Sequence, residues 1–80
     1  MKLNLLLFGI VADLLAASSI EIDIENESTV QQLKEQLNAQ YPTLKNVNSY
    51  AIAVNETYAI DTTILEEKDV VAIIPPVSGG

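Results

Sequence analysis

The residue pattern predicts an α+β fold: a small sheet with one main helix laid across it. Three observations carry that expectation. Residues 20–25 alternate Ile20, Ile22 and Ile24 with Glu21, Asp23 and Glu25, the period of a strand with one wet face. Val30, Leu33, Leu37 and Tyr41 recur at spacings of three and four, which places them on one helical stripe. Residues 70–74, Val-Val-Ala-Ile-Ile, form an almost wholly apolar run of strand length, the signature of a strand inside a sheet rather than at its edge.

Taken in order, the elements read β-α-β-α-β-β-β. Lys2 to Phe8 is a first strand, with Leu3, Leu5 and Leu7 alternating and Gly9 as its boundary. Ile10 to Ala17 is a short apolar helix closed by Ser18-Ser19. The second strand follows, and Asn26-Glu27-Ser28 turns the chain. Thr29 is an N-cap residue, and Gln32 three positions on completes a capping-box pattern. The helix runs to Tyr41, because Pro42 restricts the residue before it. A loop over 43–48 follows, anchored by Leu44 and Val47. Tyr50 to Val54 is a third strand. Asn55-Glu56 is a hairpin turn, since Asn tolerates positive φ. Thr57 to Ile60 pairs back, Ile64 and Leu65 close the core, and residues 66–69 form a polar turn before the last strand. Residues 1–74 form one domain, and residues 75–80, Pro-Pro-Val-Ser-Gly-Gly, form an extended tail.

Composition narrows the chemistry. Eighty residues support one small core. The chain has no cysteine and no histidine, so the usual nucleophile and the usual near-neutral acid–base group are both absent. A complete active site within this domain is therefore not expected. The net charge of −7, from eleven acids against four lysines and no arginine, excludes nucleic acid as a partner and favours a basic protein surface. No stretch has the length and hydropathy of a membrane span. Residues 1–8 alternate as a strand and lack a signal-peptide cleavage site, so the expected location is cytoplasmic.

The tail concentrates the functional signal. Pro75-Pro76 holds an extended course, and Gly79-Gly80 is thin enough to enter a narrow channel. The α-carboxylate of Gly80 is then the group presented at its tip. Its ordinary pKa is about 3.3–3.7, so it is ionised at neutral pH and can act as a nucleophile toward phosphorus. Six extended residues reach about 20 Å, sufficient to enter a pocket in another subunit. Alternation also sends Leu6, Phe8, Ala51, Ala53, Val70, Ala72 and Ile74 to the sheet face away from the main helix, where polar residues are the norm. An apolar patch of this kind marks a partner site, unless the short first helix folds over it.

The ending Asp69-Val70-Val71-Ala72-Ile73-Ile74-Pro75-Pro76-Val77-Ser78-Gly79-Gly80 resembles that of the MoaD family, the small subunits of molybdopterin synthase. Val54-Asn55-Glu56, Phe8-Gly9 and Thr29-Val30 fit the same family. The resemblance implies a ubiquitin-like β-grasp fold: a five-stranded mixed sheet packed on one main amphipathic helix, with a short helix between strands 1 and 2 and the first and last strands as parallel neighbours. It further implies a sulfur carrier that holds no permanent cofactor and no metal. An E1-like enzyme would use ATP to adenylate Gly80, and a sulfur donor protein would convert it to a thiocarboxylate. The tail would then enter the large synthase subunit, in a heterotetramer, and donate sulfur to a cyclic pyranopterin precursor to form the dithiolene. By the resemblance Gly79 and Gly80 are catalytic, and Phe8, Tyr58, Ile74, Pro75, Pro76, Val77 and Ser78 bind the partner. Ala12-Asp13, Lys68 and Val70 depart from the pattern, which commonly has Arg-Glu, a turn glycine and a glutamate there. Two other readings remain open: a carrier of the same fold for another pathway (thiamine thiazole, or a ubiquitin-like modifier), and an interaction module with no chemistry at its terminus.

Overall fold

The computed structural model describes residues 1–46 and 50–75. Its elements follow the expected order: β1 (Lys2–Leu7), α1 (Gly9–Leu15), β2 (Ser19–Asp23), α2 (Val30–Gln40), a 3-10 turn (Pro42–Asn46), β3 (Ala51–Val54), β4 (Thr57–Tyr58) and β5 (Val70–Ile74). The strands form one mixed sheet in the order β2-β1-β5-β3-β4. β1 and β5 run parallel, with Leu5 beside Val71 and Leu7 beside Ile73, and every other neighbour is antiparallel. β5 is central, as its apolar run predicted.

The core lies between the sheet and α2. Leu3, Leu5 and Leu7 of β1, Ile22 and Ile24, Ile52 of β3, and Val71 and Ile73 of β5 are buried against Val30, Leu33 and Leu37 of α2. Ile20, Val54 and Tyr41 pack half-buried at its margin. Burying one such aliphatic side chain contributes roughly 1.5–3 kcal/mol, so this doubled stripe supplies most of the driving force for an 80-residue chain.

The start of α2 is the best-secured helix end among the described residues. Thr29 and Gln32 form the reciprocal capping box. The amides of Val30 and Gln31 donate to the carbonyls of Thr63 (2.9 Å) and Asp61 (3.1 Å), so the β4–β5 connection satisfies donors that a helix leaves free. Lys34 adds a 3.0 Å ion pair to Asp61.

Several boundaries and positions differ from the sequence reading. α1 ends at Leu15, not Ala17, because Ala16 takes a left-handed conformation (φ 54°). The amides of Ala17 and Ala16 then donate to the carbonyls of Ala12 and Asp13, a Schellman closure built without glycine. Val11 is the fully buried anchor of this helix, while Leu14 stays 37% exposed. Residues 42–46 are a 3-10 turn rather than a loop, with Leu44 buried as expected. Val47 lies outside the described residues. Leu65 closes the core, but Ile64 does not. Ile64 bridges to Thr29, which turns its side chain to solvent. Lys68 does not adopt positive φ, so the turn over 66–69 needs no glycine. Instead, the carboxylate of Asp69 accepts from the Glu66 amide (2.8 Å), and the Asp69 amide donates to the Glu66 carbonyl (3.1 Å).

Candidate functional site

The sheet face opposite α2 carries a groove, and strand register builds it. Leu6 lies beside Ala72, Ala72 beside Ala53, and Ala53 beside Tyr58. One row therefore crosses four strands, with two alanines in the middle and a large side chain at each end. The alanines form a floor, and Leu6 and Tyr58 form walls. Phe8, Val70, Ile74 and Glu56 complete a concavity of about 400 Å³. Ala53 is buried even though it faces outward, because its larger neighbours shade a methyl group. The walls are open to solvent: Phe8 is 48% exposed, Val70 50% and Tyr58 70%. α1 does not cover them. Its buried face, led by Val11, packs toward β5 and the 3-10 turn.

The β3–β4 hairpin sets one wall. Asn55 (φ 51°) and Glu56 (φ 70°) both lie in the left-handed region that a type I′ turn requires. Asn55 also ties this turn to the start of β5. Its side-chain oxygen accepts from the Val70 amide (2.9 Å), its side-chain NH2 donates to Asp69 (2.9 Å), and its own amide donates to the Val70 carbonyl (2.8 Å). The asparagine is therefore structural. It holds Tyr58 and Val70 at a fixed separation across the groove.

Phe8, Tyr58 and Ile74, the expected partner-binding side chains of the domain, all line this one groove. Pro75 follows half-buried at the end of β5. Pro76, Val77, Ser78, Gly79 and Gly80 lie outside the described residues. Alternation alone found Leu6, Phe8, Ala53, Val70, Ala72 and Ile74; Tyr58 came only from the family resemblance, because its strand is too short to show a period. Glu56, the one acid on the groove lining, was hidden by its reading as a turn residue. A second hollow, of about 440 Å³, is lined by Met1, Asn26, Glu27 and residues 64–67. Three glutamates line it, and no strand row gives it an apolar floor.

On the helix side of the sheet, burial raises the pKa of Tyr50 above its ordinary value of 10.0. Its hydroxyl donates to Asn38 of α2 (3.2 Å). No helix among the described residues is long and apolar enough to cross a membrane.

Sheet order, the parallel β1–β5 pair and the helix across one face define a ubiquitin-like β-grasp domain. Residues 5–80 match the ThiS family, and the chain belongs to it. It is 34% identical over 80 residues to the molybdopterin synthase sulfur carrier subunit of Arabidopsis thaliana, covering 99% of this chain and 83% of that one. It is 36% identical over 81 residues to the protein of the same name from Mycobacterium tuberculosis, covering 99% and 98%. Among solved structures, SAMP1 from Haloferax volcanii superposes with a TM-score of 0.85 at 22% identity over the whole of both chains. A chain from the complex of subunits 1 and 2 of the molybdopterin-converting factor of Helicobacter pylori superposes with a TM-score of 0.70 at 23% identity, also over both whole chains.

Proposed function

We propose that this chain is the sulfur-carrier small subunit of molybdopterin synthase, the sulfur-donating half of a two-subunit sulfurtransferase that is inactive alone. The observation that carries the reading is the groove holding Phe8, Tyr58 and Ile74 at the end of β5 that leads into Pro75–Gly80. Sequence likeness to named sulfur-carrier subunits and structural likeness to a chain from a two-subunit complex support it.

The domain docks on the large subunit through the groove, and the tail reaches into that subunit's active site. First, an E1-like enzyme binds the chain with ATP. A carboxylate oxygen of Gly80 attacks the α-phosphorus, pyrophosphate leaves, and the carbonyl becomes an acyl-adenylate. A sulfur donor protein then supplies sulfur at the sulfide level, which bonds to that carbonyl as AMP departs and leaves a thiocarboxylate on Gly80. Its soft, anionic sulfur attacks a side-chain carbon of the cyclic pyranopterin precursor and displaces an oxygen substituent there; water then cleaves the acyl–sulfur bond, which leaves the sulfur on the product and regenerates the Gly80 carboxylate. Two such deliveries complete a dithiolene. The chain supplies the carbonyl and the grip; it holds neither ATP nor a metal between rounds. Lacking cysteine, it carries sulfur only on its own carbonyl.

Reconstitution with the activating enzyme, ATP, a sulfur source, the large subunit and precursor tests the reading. Dithiolene formation that vanishes on deletion of Gly80, at an unchanged melting temperature, is the expected result. Product formation only with a thiazole synthase in place of the large subunit would assign the chain to the other carrier pathway.

A further inference from the structure

The β1–β5 parallel register, carried past its last pair Leu7–Ile73, brings Gly9 beside Pro75. There the two strands must part: one chain turns into α1, and the other leads into the tail. Gly9 turns with φ +54°, a conformation L side chains rarely adopt. A Cβ on Gly9 would stand 2.9 Å from Cγ of Pro75 and 3.8 Å from its Cδ. The first distance is shorter than real Cβ contacts allow, and the proline ring cannot swing aside as a flexible side chain would. Pro75 also ends the ladder, because it has no amide to donate. The bare backbone of Gly9 and the ring of Pro75 are thus fitted against each other at the root of the tail.

We propose that Gly9 is a positioning residue for sulfur transfer: its missing side chain lets Pro75 seat on the β1–α1 junction, and that seat sets the heading with which the tail leaves the domain. The proposal rests on the sulfur-carrier reading above. A domain gripped through its groove can deliver Gly80 to a reacting centre only if the tail starts in the right direction. An error at the root is carried on toward Gly80, and a misplacement near 1 Å at a reacting centre can cost about a hundredfold in rate. Gly9 touches no reacting atom. Its effect belongs on the transfer step at saturating large subunit, not on the affinity of the groove.

A double-mutant cycle on Gly9→Ala and Pro75→Ala tests this, because Pro75→Ala removes the Cγ that an alanine at position 9 would strike. All four proteins are preloaded as thiocarboxylates, and single-turnover transfer is measured at saturating large subunit. In the Pro75 background, Gly9→Ala lowers the rate by about tenfold or more. In the Pro75→Ala background the same change costs no more than about twofold. The rotational strain of a non-glycine at φ +54° lowers the melting temperature in both backgrounds, so stability and rate separate. Equal rate losses in the two backgrounds, or no loss in either, overturn the proposal. In the isolated wild-type protein, nuclear Overhauser contacts join the Gly9 α protons to the Pro75 ring; their absence also overturns it. If even the wild type transfers no sulfur, the carrier reading fails. The Overhauser contacts and the coupling between the four melting temperatures then still decide whether the Gly9–Pro75 seat exists.

Discussion

Tyr58→Ala separates docking from folding more cleanly than any other substitution in the groove. Tyr58 is 70% exposed and sits on the two-residue edge strand β4. A large aromatic side chain carries about 200 Å² of surface, so some 140 Å² of Tyr58 is free to be covered by a partner. At about 25 cal/mol per Å² its full burial is worth at most about 3.5 kcal/mol. Imperfect desolvation and side-chain ordering reduce that, and aromatic anchors at interface centres typically cost about 2–3 kcal/mol on truncation. The expected loss of affinity for the large subunit is therefore roughly 30- to 150-fold. Within the domain, the covered part of the ring is about 60 Å², which limits the cost to folding to about 1.5 kcal/mol or less. For a domain of this size that lowers Tm by no more than about 6–12 °C. Calorimetric titration against the large subunit and a thermal melt read the two quantities on the same sample. Affinity within about threefold of wild type, or a melt that collapses while affinity holds, refutes the assignment of this face as the docking surface.

Three further outcomes follow from the local geometry. Asn55→Ala removes the bonds to Val70 and Asp69 and places a non-polar side chain at positive φ; it lowers stability by about 2 kcal/mol in a denaturant melt. Asn55→Gly, which relieves the φ term, recovers about 1 kcal/mol of that loss. Ala16→Gly relieves left-handed strain at the end of α1 but adds freedom to the unfolded chain, so the net effect is a gain of about 0.5 kcal/mol; a loss larger than about 1 kcal/mol contradicts the Schellman closure. Burial holds the Tyr50 proton in the folded state beyond the pH at which the unfolded residue ionises. Its stabilising contribution is therefore fully present below pH 10 and is lost as pH rises through the higher folded value, and Tyr50→Phe flattens that alkaline fall in a pH-dependent melt.

Long periodic signals made most of the fold legible in the sequence. The Ile20–Glu25 alternation, the capped stripe of α2 and the apolar β5 each repeat a pattern often enough to fix type and face. Short or exceptional features did not announce themselves. Ala16 closes α1 in a conformation that usually calls for glycine, so nothing in its identity marks the helix end. Ile64 reads as core by composition, yet its bridge to Thr29 presents it to water. The groove was half legible. Alternation gave its β1, β3 and β5 members and the family resemblance gave Tyr58, while Glu56 needed the hairpin and its register. Its shape came from two alanines, residues whose importance lies in what they lack. The same holds for Gly9, which the sequence offers as a strand boundary and the structure places against the ring of Pro75.

The most direct test of the sulfur-carrier account is intact-mass spectrometry of the chain after incubation with the activating enzyme, ATP and a sulfur source, followed by fragmentation. The account predicts that one oxygen is replaced by sulfur and that the replacement maps to the carbonyl of Gly80. An unchanged mass under conditions that load a known carrier, or sulfur located anywhere else on the chain, contradicts it.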